Sequence, residues 1–251
     1  MWDLIVVTPI RESITFLSQS IASAGIPYSF GFGIIVFTLI IKLLTLPLNI
    51  QQMRAMKAFQ DLQPKLQELQ KKYGKDREKL AQEQLKLYRE AKVNPLAGCL
   101  PSLVQLPVWI GLYQALYNMA QEGVLAEGFF FIPSLAKPIG LEWLWPPSAW
   151  QWPDMPAYLI LPILTLVTQF AVQKMSTPPS SDPQQTTMNQ MMYFFPFMLF
   201  FFALQVPSGL SLYWVVMNIF TMIQQYIFME SWKKKPTPPR RKAHDERLKK
   251  S

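Results

Sequence analysis

Cysteine and histidine are almost missing from this chain. Among 251 residues only Cys99 is a cysteine and only His244 a histidine. A lone cysteine cannot build an intramolecular disulfide, and zinc sites or histidine-based catalysis need several ligands or partners. Charge is scarce too: Asp, Glu, Lys and Arg make up 16% of the chain, against about 25% in a soluble domain. Acids are absent from the interior of every long apolar run. That leaves no paired carboxylates for hydrolysis there and no acidic ion ligand at depth. No phosphate-binding Gly-rich loop ending in Lys-Ser or Lys-Thr occurs.

What remains is half hydrophobic and 14% aromatic, the composition of a chain that lives in lipid. A helical span needs about 20 mostly apolar residues. Five stretches qualify: 29–50, 98–119, 157–174, 189–206 and 208–229. The last two are separated by Pro207-Ser208-Gly209, a turn signal that makes them an antiparallel hairpin. Ahead of them, residues 1–28 carry Leu4, Val7, Ile10, Ile14, Leu17 and Ile21 at helical spacing. Asp3, Pro9 and Arg11-Glu12 interrupt the run, so the spacing predicts an amphipathic helix lying in the membrane interface.

The connecting segments orient the spans. Region 51–97 holds eleven Lys or Arg and the tail 230–251 holds nine. The loop 120–156 instead sets Lys137 against Glu122, Glu127, Glu142 and Asp154, beside Trp143, Trp145, Trp150 and Trp152. The excess of cations in short cytoplasmic segments places 51–97, the loop 175–188 and the C-terminus in the cytoplasm, and the N-terminus and the Trp-rich loop outside. Net charge of +8 is thereby explained by topology, without a nucleic-acid sequence as partner. Within 51–97, Met53, Met56, Phe59, Leu62, Leu66, Leu69 and Tyr73 recur every three or four residues. Gly74 breaks that helix, Asp76 can cap a second, and Asn94-Pro95 ends it. This is a helical hairpin.

The polar residues inside the spans carry the chemistry. Lys42 sits within the apolar run 34–50, where a Lys costs about 2.5–3.5 kcal/mol at the bilayer centre. No acid inside a span can pair with it. Thr38, Lys42, Thr45 and Asn49 share one helix face. The fifth span repeats the pattern with Ser211, Trp214, Asn218, Thr221 and Gln225. The third offers Thr165, Gln169 and Gln173, and the second Ser102, Gln105 and Trp109. Two readings stand: hydrogen-bonding glue between helices, or a shared hydrated cavity in which water and hydroxyls solvate the cation. The fourth span, with Met188, Met191, Met192, Phe194, Phe195, Phe197 and Met198, reads as a lipid-facing helix or as an adaptable surface for varied apolar partners.

Several runs resemble the YidC-type membrane protein insertases, with their mitochondrial Oxa and chloroplast Albino relatives. They are Thr38-Leu39-Ile40-Ile41-Lys42-Leu43-Leu44-Thr45-Leu46-Pro47-Leu48, Leu62-Gln63-Pro64-Lys65, Lys92-Val93-Asn94-Pro95-Leu96-Ala97-Gly98-Cys99, Gln105-Leu106-Pro107, Gln173-Lys174-Met175-Ser176 and Pro207-Ser208-Gly209-Leu210-Ser211-Leu212-Tyr213-Trp214. They occur in family order over about residues 28–230. The resemblance implies an all-α membrane protein: five transmembrane helices around a hydrophilic groove, open to cytoplasm and lipid and closed outside, in a short form without the family's large outer domain. It implies a groove cation at Lys42 where the family usually has Arg, a groove hydroxyl at Thr38 and a substrate-facing pair at Tyr213-Trp214. The expected groove set is Lys42, Thr38, Thr45, Asn49, Gln105, Trp109, Gln169, Tyr213, Trp214 and Asn218. The expected role is insertase and chaperone for nascent membrane proteins, not enzyme, with no cofactor. Hairpin and basic tail would meet the ribosome, targeting factors, the Sec translocon or anionic lipid, in a bacterial plasma membrane or a thylakoid. A channel or transporter is the competing class.

Overall fold

The computed structural model describes residues 1–91, 93, 100–144, 154–177 and 183–233. Cys99, Asn94-Pro95, Trp145, Trp150, Trp152 and the basic tail beyond Lys233 lie outside the described residues, as do the side chains of Ser102 and Met188. Among the described residues the chain is helical, with no strand and an isolated bridge between Phe129 and Ile132. A short π-helical stretch, Asp3–Val7, leads into α1 (Thr8–Ser23). Then follow α2 (Ser29–Leu44), α3 (Leu46–Tyr73), α4 (Arg77–Ala91), α5 (Leu100–Gln121), α6 (Asp154–Ser176), α7 (Pro183–Ala203) and α8 (Ser208–Lys233).

Among the described residues two helices are long and apolar enough on their own to cross a membrane, over Asp154–Ser176 and Ser208–Glu230. The pair α2 and α3 qualifies together, making three, but its axes meet at 61°. The apolar run 29–50 is thus one stretch of sequence and two helices. Pro47 explains the break: it has no N–H for the carbonyl one turn back, and its ring crowds that carbonyl. α7 contributes a shorter apolar stretch, Gln190–Ala203.

The amphipathic N-terminal helix packs onto both α2 and α5. Ile14 and Ser18 are buried, and Leu4, Ile5 and Phe16 are exposed. Ser18 meets Gly33 so closely that a Cβ there would lie 2.2 Å from its Oγ. Arg11 reaches Glu122 at the end of α5 with a forked pair of bonds, one of 2.8 Å. The main core joins Ile14, Ile34, Phe37, Leu116, Leu210 and Tyr213. A separate small core holds the hairpin: Leu66, Leu69 and Leu87 are buried, and Phe59 stacks on Tyr88. Gly74 ends α3, and Asp76 Oδ1 accepts the Lys79 N–H at 3.0 Å, capping α4 as the sequence predicts. Pro64 is accommodated inside a continuous α3.

Candidate functional site

Lys42 lies in the last turn of α2 and is only 8% exposed. Its ammonium donates to Thr221 Oγ1 on α8 at 2.9 Å. Thr221 gives its own proton to the Met217 carbonyl one turn back, at 2.7 Å, so its lone pairs face the cation. Among the described residues a hydroxyl, not a carboxylate, accepts the cation's side-chain hydrogen bond. Thr38, one turn above on the same face, is fully buried and donates to the Ile34 carbonyl at 2.7 Å. Thr45 and Asn49 sit at the bend and bond each other at 3.3 Å.

The polar face of α8 continues against α6. Asn218 Nδ2 donates to Thr168 Oγ1 at 3.1 Å, and Gln225 Nε2 to Ser176 Oγ at 2.7 Å. Thr165 Oγ1 and Gln225 Oε1 are buried with no hydrogen-bond partner among the described residues. Gln169 is half-buried on the same face of α6 as Thr165 and Gln173 and makes none of these cross-helix bonds. The seam thus draws on α2, α6 and α8, with Lys42 joined to it through Thr221 of α8.

The remaining predicted residues form a second cluster. The Trp109 and Trp214 rings stack with centroids 6.2 Å apart, and Phe202 of α7 packs against both. Gln105 Nε2 donates to the buried Tyr213 hydroxyl at a long 3.4 Å. Helix α8 carries both clusters. Trp214 precedes Thr221 by seven residues, about 10 Å along the axis. One face of α7 stays bare: Met191, Phe194, Phe197 and Phe201 are exposed, which suits lipid and an apolar partner equally.

Helical spacing places Thr221 in the polar stripe of the fifth span but does not mark it as the partner of the cation. Thr168 and Ser176 had no role in the predicted groove at all. Their importance comes from the facing of α6 and α8, for which a single sequence holds no signal beyond the need of Asn218 and Gln225 for partners.

The profile of the family described as 60Kd inner membrane protein matches residues 21–235. Over 223 residues the chain is 44% identical to the chloroplastic inner membrane protein PPF-1 of Pisum sativum, covering 83% of this chain and 50% of that protein. Over 228 residues it is 42% identical to the chloroplastic inner membrane protein ALBINO3 of Arabidopsis thaliana, covering 84% and 49%. Over 241 residues it is 36% identical to the membrane protein insertase YidC of Haemophilus influenzae, covering 96% and 40%. The chain spans about half the length of the curated relatives it matches.

Proposed function

The chain belongs to the 60Kd inner membrane protein family, that of YidC and the Albino proteins, and we propose that it inserts hydrophobic segments of nascent proteins into a bilayer. The observation that carries this reading is Lys42: a cation within an apolar helix, 8% exposed and held by a hydroxyl. Paired with a carboxylate it would be spent on structure. Held by Thr221 it can exchange one weak acceptor for a better one, such as an acidic or polar residue of a substrate.

In this reading α2, α5, α6, α7 and α8 are five spans around a groove open to cytoplasm and lipid. The N-terminus lies outside, and the hairpin and tail in the cytoplasm. A substrate's hydrophilic flank enters beside Lys42, where polar side chains lower the desolvation cost of bringing it to membrane depth. Thr165 Oγ1 and Gln225 Oε1 offer further polar contacts along the seam. The apolar part moves past Trp109 and the bare face of α7 into lipid, gaining about 0.3–0.6 kcal/mol for each Leu, Ile, Phe or Val. Lys in place of the family's usual Arg keeps the charge but grips a carboxylate through one point, not a planar fork. The α3–α4 hairpin and the basic tail would recruit the ribosome, targeting factors or the Sec translocon, with anionic lipid holding the tail.

A photoreactive residue at Phe201, on the bare face of α7, should crosslink to a stalled nascent membrane protein and not to a stalled soluble one. Equal crosslinking to both, or to neither, would count against this route. Ion flux through the purified protein without any substrate would favour a channel.

A further inference from the structure

We infer that a cavity of about 390 Å³ beside the start of α6 is a site for a zwitterionic phospholipid headgroup, its phosphate on Lys137 and its primary ammonium on Glu142 and Asp154. The cavity lies between residues 137–143 and the first turns of α6, and Trp143 and Tyr158 complete its walls. Its volume falls within the range of about 300–1,000 Å³ found for small-molecule sites. The inference needs α6 to be a span, which its length and apolarity allow, and it stands apart from the insertase reading.

The walls are held in place by bonds that leave the charges free. Ser208 N–H donates to the Lys137 carbonyl at 3.0 Å and Gly140 N–H to the Gln205 carbonyl at 2.9 Å. Trp143 Nε1 donates to the Leu204 carbonyl at 3.0 Å, and its ring meets Tyr158 edge-on with centroids 6.3 Å apart. At the loop's other end Glu127 caps α2, accepting the Ser29 and Phe30 N–H groups at 3.0 Å each. Among the described residues Lys137, Glu142 and Asp154 make no ion pair. One cation and two acids leave the cavity one negative charge in excess, so a net anionic headgroup is repelled and a zwitterion is matched at both poles. A primary ammonium can donate charge-assisted bonds to both carboxylates, which a quaternary one cannot. The depth agrees: Asp154 begins the apolar run of α6, and Trp and Tyr favour the headgroup layer. Ile139 at the cavity and Ile160, Ile163 and Val167 on α6 are exposed, an apolar track for acyl chains. A headgroup held there joins the start of α6 to a loop that is itself fastened to α7 and α8.

The test uses the full chain in detergent and counts retained lipid by native mass spectrometry. Phosphatidylethanolamine, phosphatidylcholine and phosphatidylglycerol are titrated in separately. The parent should hold phosphatidylethanolamine about fivefold more tightly than either of the others, a modest effect for charge-assisted hydrogen bonds at a wet interface. Glu142→Gln combined with Asp154→Asn should erase the preference for the primary over the quaternary ammonium. Lys137→Gln, which keeps the backbone bond to Ser208, should weaken both zwitterionic lipids alike and covers the case of a doubly neutralised chain that does not fold. Glu12→Gln changes an exposed charge that does not line the cavity and should bind as the parent does. Equal retention of the three lipids by the parent, or parent-like binding by both cavity variants, would overturn the site. So would an equally large loss in Glu12→Gln, which would reduce the effect to overall charge. Glycerophosphoethanolamine, which has the headgroup but no acyl chains, should bind far more weakly than the whole lipid; equal binding would assign the cavity to a soluble phosphoamine and overturn the lipid as its occupant.

Discussion

Thr221 is the residue on which the state of the cation depends. Valine has nearly its shape but no lone pair, so Thr221→Val leaves a buried ammonium without the hydroxyl it now uses. We expect a loss of about 1.5–3 kcal/mol, the range for hydrogen bonds to charged groups, seen as a lower melting temperature in detergent. Thr221→Ser should recover most of it. A Val variant as stable as the parent would mean that Lys42 has another acceptor. Lys42 itself was legible in the sequence, because a cation in an apolar run stands out whatever surrounds it. Its partner was not. Thr221 is 179 residues away, and helical spacing says which residues share a face but not which faces meet. Glu127 was legible only as a charge in an acidic loop, since capping at a distance leaves no local pattern.

The helical elements divide by how local their determinants are. The α3–α4 hairpin follows from a Gly, an Asp cap and thin apolar stripes, all within a few residues. The break between α2 and α3 lies at Thr45, and its cause, Pro47, is local and visible in the sequence, although the apolar run continues through it. The loop 122–144 has no period to read; its order comes from backbone bonds to α7 and α8. Few buried apolar residues hold the hairpin, so its amides should exchange with solvent faster than those of α6 and α8. Deleting residues 55–90 should leave the chain integrated in the membrane and abolish insertion. Normal insertion by that deletion would show the hairpin to be dispensable.

At the scale of the whole molecule, the paired α6, α8 and bent α2–α3 put a cation-bearing polar seam among apolar surfaces that face outward. Composition and charge pattern made the all-helical membrane class legible. The seam's closure around Lys42 came from packing. Removing residues 234–251 strips eight cations from the tail and touches no described helix. We expect weaker ribosome association, most evident at low salt, where exposed charges are least screened; unchanged association at low salt would leave the tail as a lipid anchor only. The seam has the more direct test. Matched single-span substrates with acidic or neutral translocated tails are presented to vesicles holding the parent, Lys42→Arg, Lys42→Ala, Lys42→Gln or Lys42→Glu. If the positive charge draws acidic flanks to membrane depth, Lys42→Arg should work as the parent does. Lys42→Ala should insert the acidic-tailed substrate about tenfold less well, equivalent to about 1.4 kcal/mol, with a smaller loss for the neutral tail. Lys42→Glu should be worst for the acidic tail. Equal insertion of both substrates by the parent and Lys42→Ala would contradict a role for this cation, and full recovery by Lys42→Gln would reduce it to a site of hydration.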